Sequence, residues 1–188
     1  MKRISYLLLA AVVAMAFAVS GCVITSAQVF AHYDLPDPFT LDSSSKPFAR
    51  EDVDLNTVSE YKDNKDKLKH LSDVAFGGRF RNLSGPAGSV EVWMTPGPTN
   101  YTSVSQIQTS AIKLWGPSSI GASVSEVTLK WDDSAKLFTT PGKQALIDEV
   151  KGDGQFTIYL FGTGFGTGNN YTIEVQKGTI LLVLDASK

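Results

Sequence analysis

From about residue 38 to its end, this chain repeats one pattern: short runs of alternating apolar and polar residues, separated by turn residues. A strand directs successive side chains to opposite faces, so this period marks half-buried β-strands. Residues 74–81 set Val74, Phe76 and Phe80 on one face. Residues 89–95 do the same with Val90, Val92 and Met94, leaving Glu91, Trp93 and Thr95 on the other. Residues 126–131 alternate cleanly, and residues 155–161 alternate with aromatic side chains on both faces. Runs at 171–175 and 180–184 complete the set, and the second is apolar on both faces, as a central strand would be. Shorter strands are expected near 39–41, 51–55 and 111–115. Turn signals lie between them at 83–88, 96–98, 116–117 and 169–170.

Two helices are expected among the strands. Thr57-x-x-Glu60 reads as a capping box ahead of a helix over 61–68 with a charged, solvated face. Thr140 reads as the N-cap of a second helix. Pro141 takes its first position, Ala145, Leu146 and Val150 turn inward, and Gly152 ends it. Many short strands, frequent turns and few helices define a mainly β fold. The expected architecture is an antiparallel β-sandwich, immunoglobulin-like or jelly-roll-like, with helices capping its ends or crossing between its sheets.

The start of the chain breaks from this pattern. Lys2 and Arg3 precede a run over 4–19 that is apolar apart from Ser5. An apolar run of about 16 residues suits a secretory signal and is short for a membrane span. Val19-Ser20-Gly21-Cys22 follows, and it holds the chain's single cysteine. This order of an aliphatic residue, two small residues and a cysteine resembles the lipobox of bacterial lipoproteins. The resemblance implies a diacylglycerol on the Cys22 thiol, cleavage before Cys22 and acylation of the new amino terminus. Position 23 is Val, not the Asp that holds lipoproteins at the inner membrane of enteric bacteria. The resemblance therefore implies the outer membrane in a host that has two. A second stretch resembles the opening of uncharacterised bacterial lipoproteins thought to be β-sandwiches. It comprises residues 53–56, residues 61–69, and a strand ending Phe80-Arg81-Asn82. That resemblance carries a fold and no activity.

The expected organisation is a signal peptide over 1–21, a lipidated amino terminus and tether over 22–37, and a sandwich domain over 38–188 that folds alone. The tether is more apolar than a Gly/Ser linker, and the sequence leaves open whether it docks on the domain or swings free. Without Lys2 and Arg3 the 17 basic residues fall to 15, against 19 acidic ones. No basic patch exists to displace counterions from nucleic acid or to hold anionic lipid. With its one thiol assigned to lipid, the chain has no disulfide, and a domain of this size needs none.

Each candidate chemistry has a plainer reading beside it. In residues 162–168 glycine occupies every second position. A dinucleotide or phosphate loop would lead into a helix, whereas a strand pattern follows here, so a hairpin loop is expected. His32 and His70 are the only histidines, too few for a zinc site without help, and both are expected at the surface. Ser43-x-x-Lys46 formally matches a penicillin-recognising motif but lies in a serine-rich stretch before Pro47. The acidic residues over 34–54 match no EF-hand spacing and read as solvated turns. Trp93 and Phe165 are the candidate binding residues, the first as a partly exposed aromatic on a strand, the second at the tip of the glycine loop. No catalytic residue, metal or cofactor is expected. The expected partners are the membrane, through lipid on Cys22, and an envelope protein, glycan or lipid. The function expected is non-enzymatic binding or structural support. The alternative is an envelope glycan hydrolase using a carboxylate pair.

Overall fold

The computed structural model describes residues 26–187, without the side chains at 26–29, 67–72 and 184–187. The expected signal peptide, Cys22 and the side chain of His70 lie outside the described residues. Nine described strands form two antiparallel sheets, as a β-sandwich requires. They are β1 (Ser26–Asp34), β2 (Phe39–Asp42), β3 (Phe48–Asp54), β4 (Leu68–Ser84), β5 (Gly88–Pro96), β6 (Ile112–Ile120), β7 (Glu126–Leu129), β8 (Gln155–Thr163) and β9 (Thr172–Ser187). The first sheet runs β1-β9-β4-β7, with β2 on the same edge of β9 past the end of β1; the second runs β3-β8-β5-β6. Inward-facing residues of both sheets make the core, among them Leu41, Val74, Phe76, Phe80, Val90, Val92, Met94, Phe156, Ile173 and Ile180. Trp115 sits at its centre, edge-on to Phe76 at 5.5 Å, and donates its indole N–H to the Ser134 carbonyl.

The two expected strands near the carboxyl end are one strand. In β9 the inward-facing buried positions are Ile173 and Val175, then Gly178, Ile180 and Leu182, so the inward parity changes between them. The change is a bulge. Lys177 takes φ 51°, and β9 advances three residues where β4 advances two. Asp37 accepts a hydrogen bond from the Lys177 N–H at 2.9 Å, which helps to hold this conformation, rarely adopted by a residue with a side chain.

The first sheet begins earlier than residue 38. Residues 26–34 form β1, paired with β9 from Ser26↔Ser187 to Asp34↔Thr179. Most of the stretch expected to be a tether is therefore docked. Leu35 continues inward and is buried at 8% exposure, its N–H bonded to the Gly178 carbonyl at 2.8 Å. Pro36 and Pro38 cannot donate to the ladder, so the chain leaves β9 there and returns as β2.

The helices differ from expectation in instructive ways. The Thr57 capping box does not form. The Thr57 hydroxyl donates to the Asp54 carbonyl within a 3₁₀ turn, Leu55–Thr57, that Asp54 caps. Only one α-helical turn follows, α1 (Ser59–Lys62), and the chain enters β4 at Leu68. A helix not expected from the sequence, α2 (Val104–Ser110), is capped by the Ser103 side chain, which accepts from the Gln106 N–H. Trp131 does not end a strand but opens a short helix, α3 (Trp131–Ala135). The long helix α4 (Thr140–Lys151) has its cap one residue earlier than expected, at Thr139, whose side chain accepts from the Gly142 N–H. Leu146 and Val150 are buried as expected, and α4 crosses between the sheets against β6 and β4. It closes that side of the sandwich.

Candidate binding cleft

Both candidate binding residues have structural work that the sequence did not disclose. The outer face of the second sheet is not left to water. Ile107 of α2, with Tyr101 and Val104, covers Tyr159 and Phe161 of β8. This third layer explains why β8 carries aromatic residues on both faces. Trp93 lies beneath the same cover, half-buried and stacked on Phe161 at 6.1 Å and 26°. Its indole N–H donates to Glu91 Oε2 at 3.0 Å, and Lys113 Nζ reaches Glu91 Oε1 at 2.7 Å. The glutamate is thus a buried anion satisfied from both sides.

A chain with Lys113→Ala is expected to lose about 2 kcal/mol of stability, because it leaves the Glu91 charge uncompensated out of water. Adding Glu91→Gln is expected to recover at least half of that. Urea unfolding midpoints check both. Equal losses in the single and double variants would show that the pair is not the cause.

Phe165 is not an exposed loop tip. It is 4% exposed, and its ring stacks on Tyr171 at 4.1 Å and 22°. A side chain at Gly88 would meet that ring at 2.6 Å, and one at Gly162 would meet it at 2.8 Å, so both glycines make room for it. The surrounding loop is not a hairpin either. It carries the chain from β8 in one sheet to β9 in the other. Gly164, Gly166 and Gly168 take φ 75°, 84° and 79°, conformations that glycine adopts without steric cost. The Asn169 side chain donates to the Phe165 carbonyl at 3.0 Å, and the Tyr171 hydroxyl donates to the Gly162 carbonyl at 3.3 Å.

The remaining candidates are dispersed. His32 is exposed and 4.0 Å from Asp34. Ser43 lies in the turn after β2, where its hydroxyl accepts from the Tyr171 N–H at 3.1 Å. Among the described residues no three His, Cys, Asp or Glu side chains converge as metal ligands would. Asp52 and Asp54 share a surface depression of about 150 Å³ beside Pro98 and Gln155. Both carboxylates are engaged. Asp52 holds the Arg50 guanidinium at 2.6 and 2.7 Å and accepts from the Thr157 hydroxyl at 2.6 Å. Asp54 accepts from the backbone and side-chain N–H groups of Asn56 at 3.0 and 2.7 Å.

A cleft that no motif announced opens on the side of the sandwich opposite α4. It lies between the 35–39 segment of the first sheet and β3, the edge strand of the second, and holds about 110 Å³. Leu35, Phe39 and Ala49 form its walls, and Ile158 and Leu160 of β8 line it from the inner face. Behind Leu35 a small void of about 10 Å³ continues toward Phe76, Phe80 and Val92. The space exists because the chain leaves the ladder over residues 36–38, between Leu35 and Phe39, and because Ala49 is short. Lys46, Arg50 and Glu51 add polarity to the cleft. Arg50 is spent on Asp52. Glu51 faces the Tyr33 hydroxyl at 3.3 Å, and burial, with that carboxylate beside it, pushes the Tyr33 phenol above its usual pKa, so it stays a donor. Lys46 lies over the Phe39 ring, 5.9 Å from its centroid, with no carboxylate within bridging distance among the described residues.

Compared with known proteins, the chain matches no family model, and no curated protein matches it in sequence.

Proposed function

We propose that the protein is a lipid-anchored component of the bacterial cell envelope that works by binding rather than by catalysis. The observation that carries the anchor is Val19-Ser20-Gly21-Cys22 directly behind an apolar run with basic residues at its head. One acyl chain alone binds membranes marginally, and two or three on one residue give stable attachment. The Val at position 23 supports the outer membrane where the host has two. The apolar cleft supports binding as the mode of action, since small-molecule sites are concave and mostly apolar with a few placed polar groups. Glycan hydrolysis needs one carboxyl group free to donate a proton. In the depression that Asp52 and Asp54 share, each carboxylate is already held by structural donors.

Intact mass measurement of the purified mature protein is expected to find a chain starting at Cys22 and carrying acyl groups. Cys22→Ser is expected to block processing and to yield no lipid-modified protein. An unmodified Cys22, or an amino terminus elsewhere, overturns the anchor. Fractionation with inner-membrane markers reverses the sorting alone.

A further inference from the structure

The geometry points to the cleft between the 35–39 segment and β3 as a site for a single-chain alkyl carboxylate, its chain between the sheets and its carboxylate on the Lys46 ammonium. This rests on the binding reading above and names the ligand class for it. The lining decides the tail. Leu35, Phe39, Ala49, Ile158 and Leu160 present hydrocarbon, and a small void on the inner side shares Leu35, Ile158 and Leu160 with the cleft. An engineered cavity of about 150 Å³ lined by Leu, Ile and Phe stays dry and takes up benzene. A cleft of about 110 Å³ is of that order, so it accepts a short run of methylenes and not a whole lipid.

The charges decide the head. Of the three charged residues lining the cleft, Arg50 is neutralised by Asp52, and Glu51 is engaged by the Tyr33 hydroxyl. Lys46 is left, held against the wall by the Phe39 ring. A single ammonium suits a single negative charge, and the nearby Glu51 and Asp52 carboxylates oppose a dianion such as a phosphate monoester. Lys46 precedes β3, with Pro47 and Phe48 between it and Ala49, and Glu51 lies two residues beyond Ala49 within the strand. A ligand can thus place its head on the lysine and extend its tail over Ala49 without bringing two carboxylates together.

The test uses the mature chain from residue 22 with Cys22→Ser, which keeps every described strand and removes the lipid as a competitor. Butanoate, hexanoate and octanoate are titrated at millimolar concentration while the methyl resonances of Leu35, Ile158 and Leu160 are followed by NMR. Hexanol and hexylammonium are the headgroup controls. Saturable shifts at these methyls are expected, with affinity rising about fourfold for each buried methylene until the cleft is full. Lys46→Ala, at an exposed side chain, is expected to weaken hexanoate about fivefold and to leave hexanol unchanged. Ala49→Phe is expected to fill the cleft and remove binding of both. Absent methyl shifts, hexylammonium binding as tightly as hexanoate, or hexanoate affinity unchanged by Lys46→Ala would each overturn the assignment. None of these readouts depends on lipidation, so failure here leaves the anchor to be judged on its own mass measurement.

Discussion

A chain that starts at residue 38 is expected to lose cooperative folding, whereas one that starts at residue 26 is expected to keep it. The shorter chain lacks β1 and with it the ladder that covers β9 from Thr179 to Ser187. It also lacks Ala31 and Leu35, which are 3% and 8% exposed and belong to the core. Emptying a buried Leu site alone costs about 2–5 kcal/mol. The typical domain holds only about 5–15 kcal/mol in total. The uncovered edge is the more serious loss. Residues 180–183 are Ile-Leu-Leu-Val, and a long unpaired strand of that composition invites pairing with a second chain. Thermal unfolding followed by circular dichroism, with light scattering recorded alongside, separates the outcomes. Matching melting temperatures and clear solutions for both chains would show that β1 is an accessory and that the domain does begin at residue 38.

The second large effect lies in the glycine loop. Replacing residues 162–168 by a two-residue Asn-Gly turn is expected to prevent folding. Such turns join strands that are hydrogen-bonded neighbours. Here β8 and β9 belong to opposite sheets, and packed sheets stand about 10 Å apart. The replacement also removes Gly162 and Thr163, the end of β8 that pairs with Val90 and Ser89, together with the buried Phe165. A gentler change isolates the plug from the connection. Phe165→Ala is expected to cost about 3–5 kcal/mol, the range for emptying a buried Phe site. The ring it removes fills the space above Gly88 and Gly162 and stacks on Tyr171. Denaturant unfolding measures this directly. A loss below about 1 kcal/mol would place Phe165 among surface substitutions, and the loop would again be a candidate contact surface.

The central strands were legible because burial on one face leaves a clean period in the sequence. Phe76, Val92, Met94, Phe156 and Ile158 all point where their alternation puts them. What stayed hidden had local causes. In β1 and the residue after it the pattern is nearly as clean, with Ala31, Tyr33 and Leu35 on one face and His32 and Asp34 on the other. Phe30 spoils it, an aromatic on the outward face that is 67% exposed. In β9 the bulge at Lys177 reverses parity, so one strand reads as two. Ser103-x-x-Gln106 is a helix-start signal, yet Thr57-x-x-Glu60 has the same form and fails, because Asp54 captures the turn first. The cleft lay beyond any local reading. Its walls come from residues more than a hundred positions apart, and only the pairing of β3 with β8 brings Ala49 beside Leu160. Pro36 and Pro38 were its one sequence trace, as the point where the chain leaves the ladder.

Ser26 pairs with Ser187, so the amino-terminal strand enters the sheet at one end and runs along β9 toward the other. β9 spans roughly 50 Å over its 16 residues, at 3.3 Å per residue, and the 162–171 loop lies beyond its far end. On the proposed anchor, a pull between membrane and a load at that far end acts along the axis of β1. The rungs between β1 and β9 then bear the tension together, as in a lap joint, instead of parting one by one like a peeled seam. A domain fastened this way resists drag without a disulfide, and its weakest direction is a sideways pull on the strand's first residues.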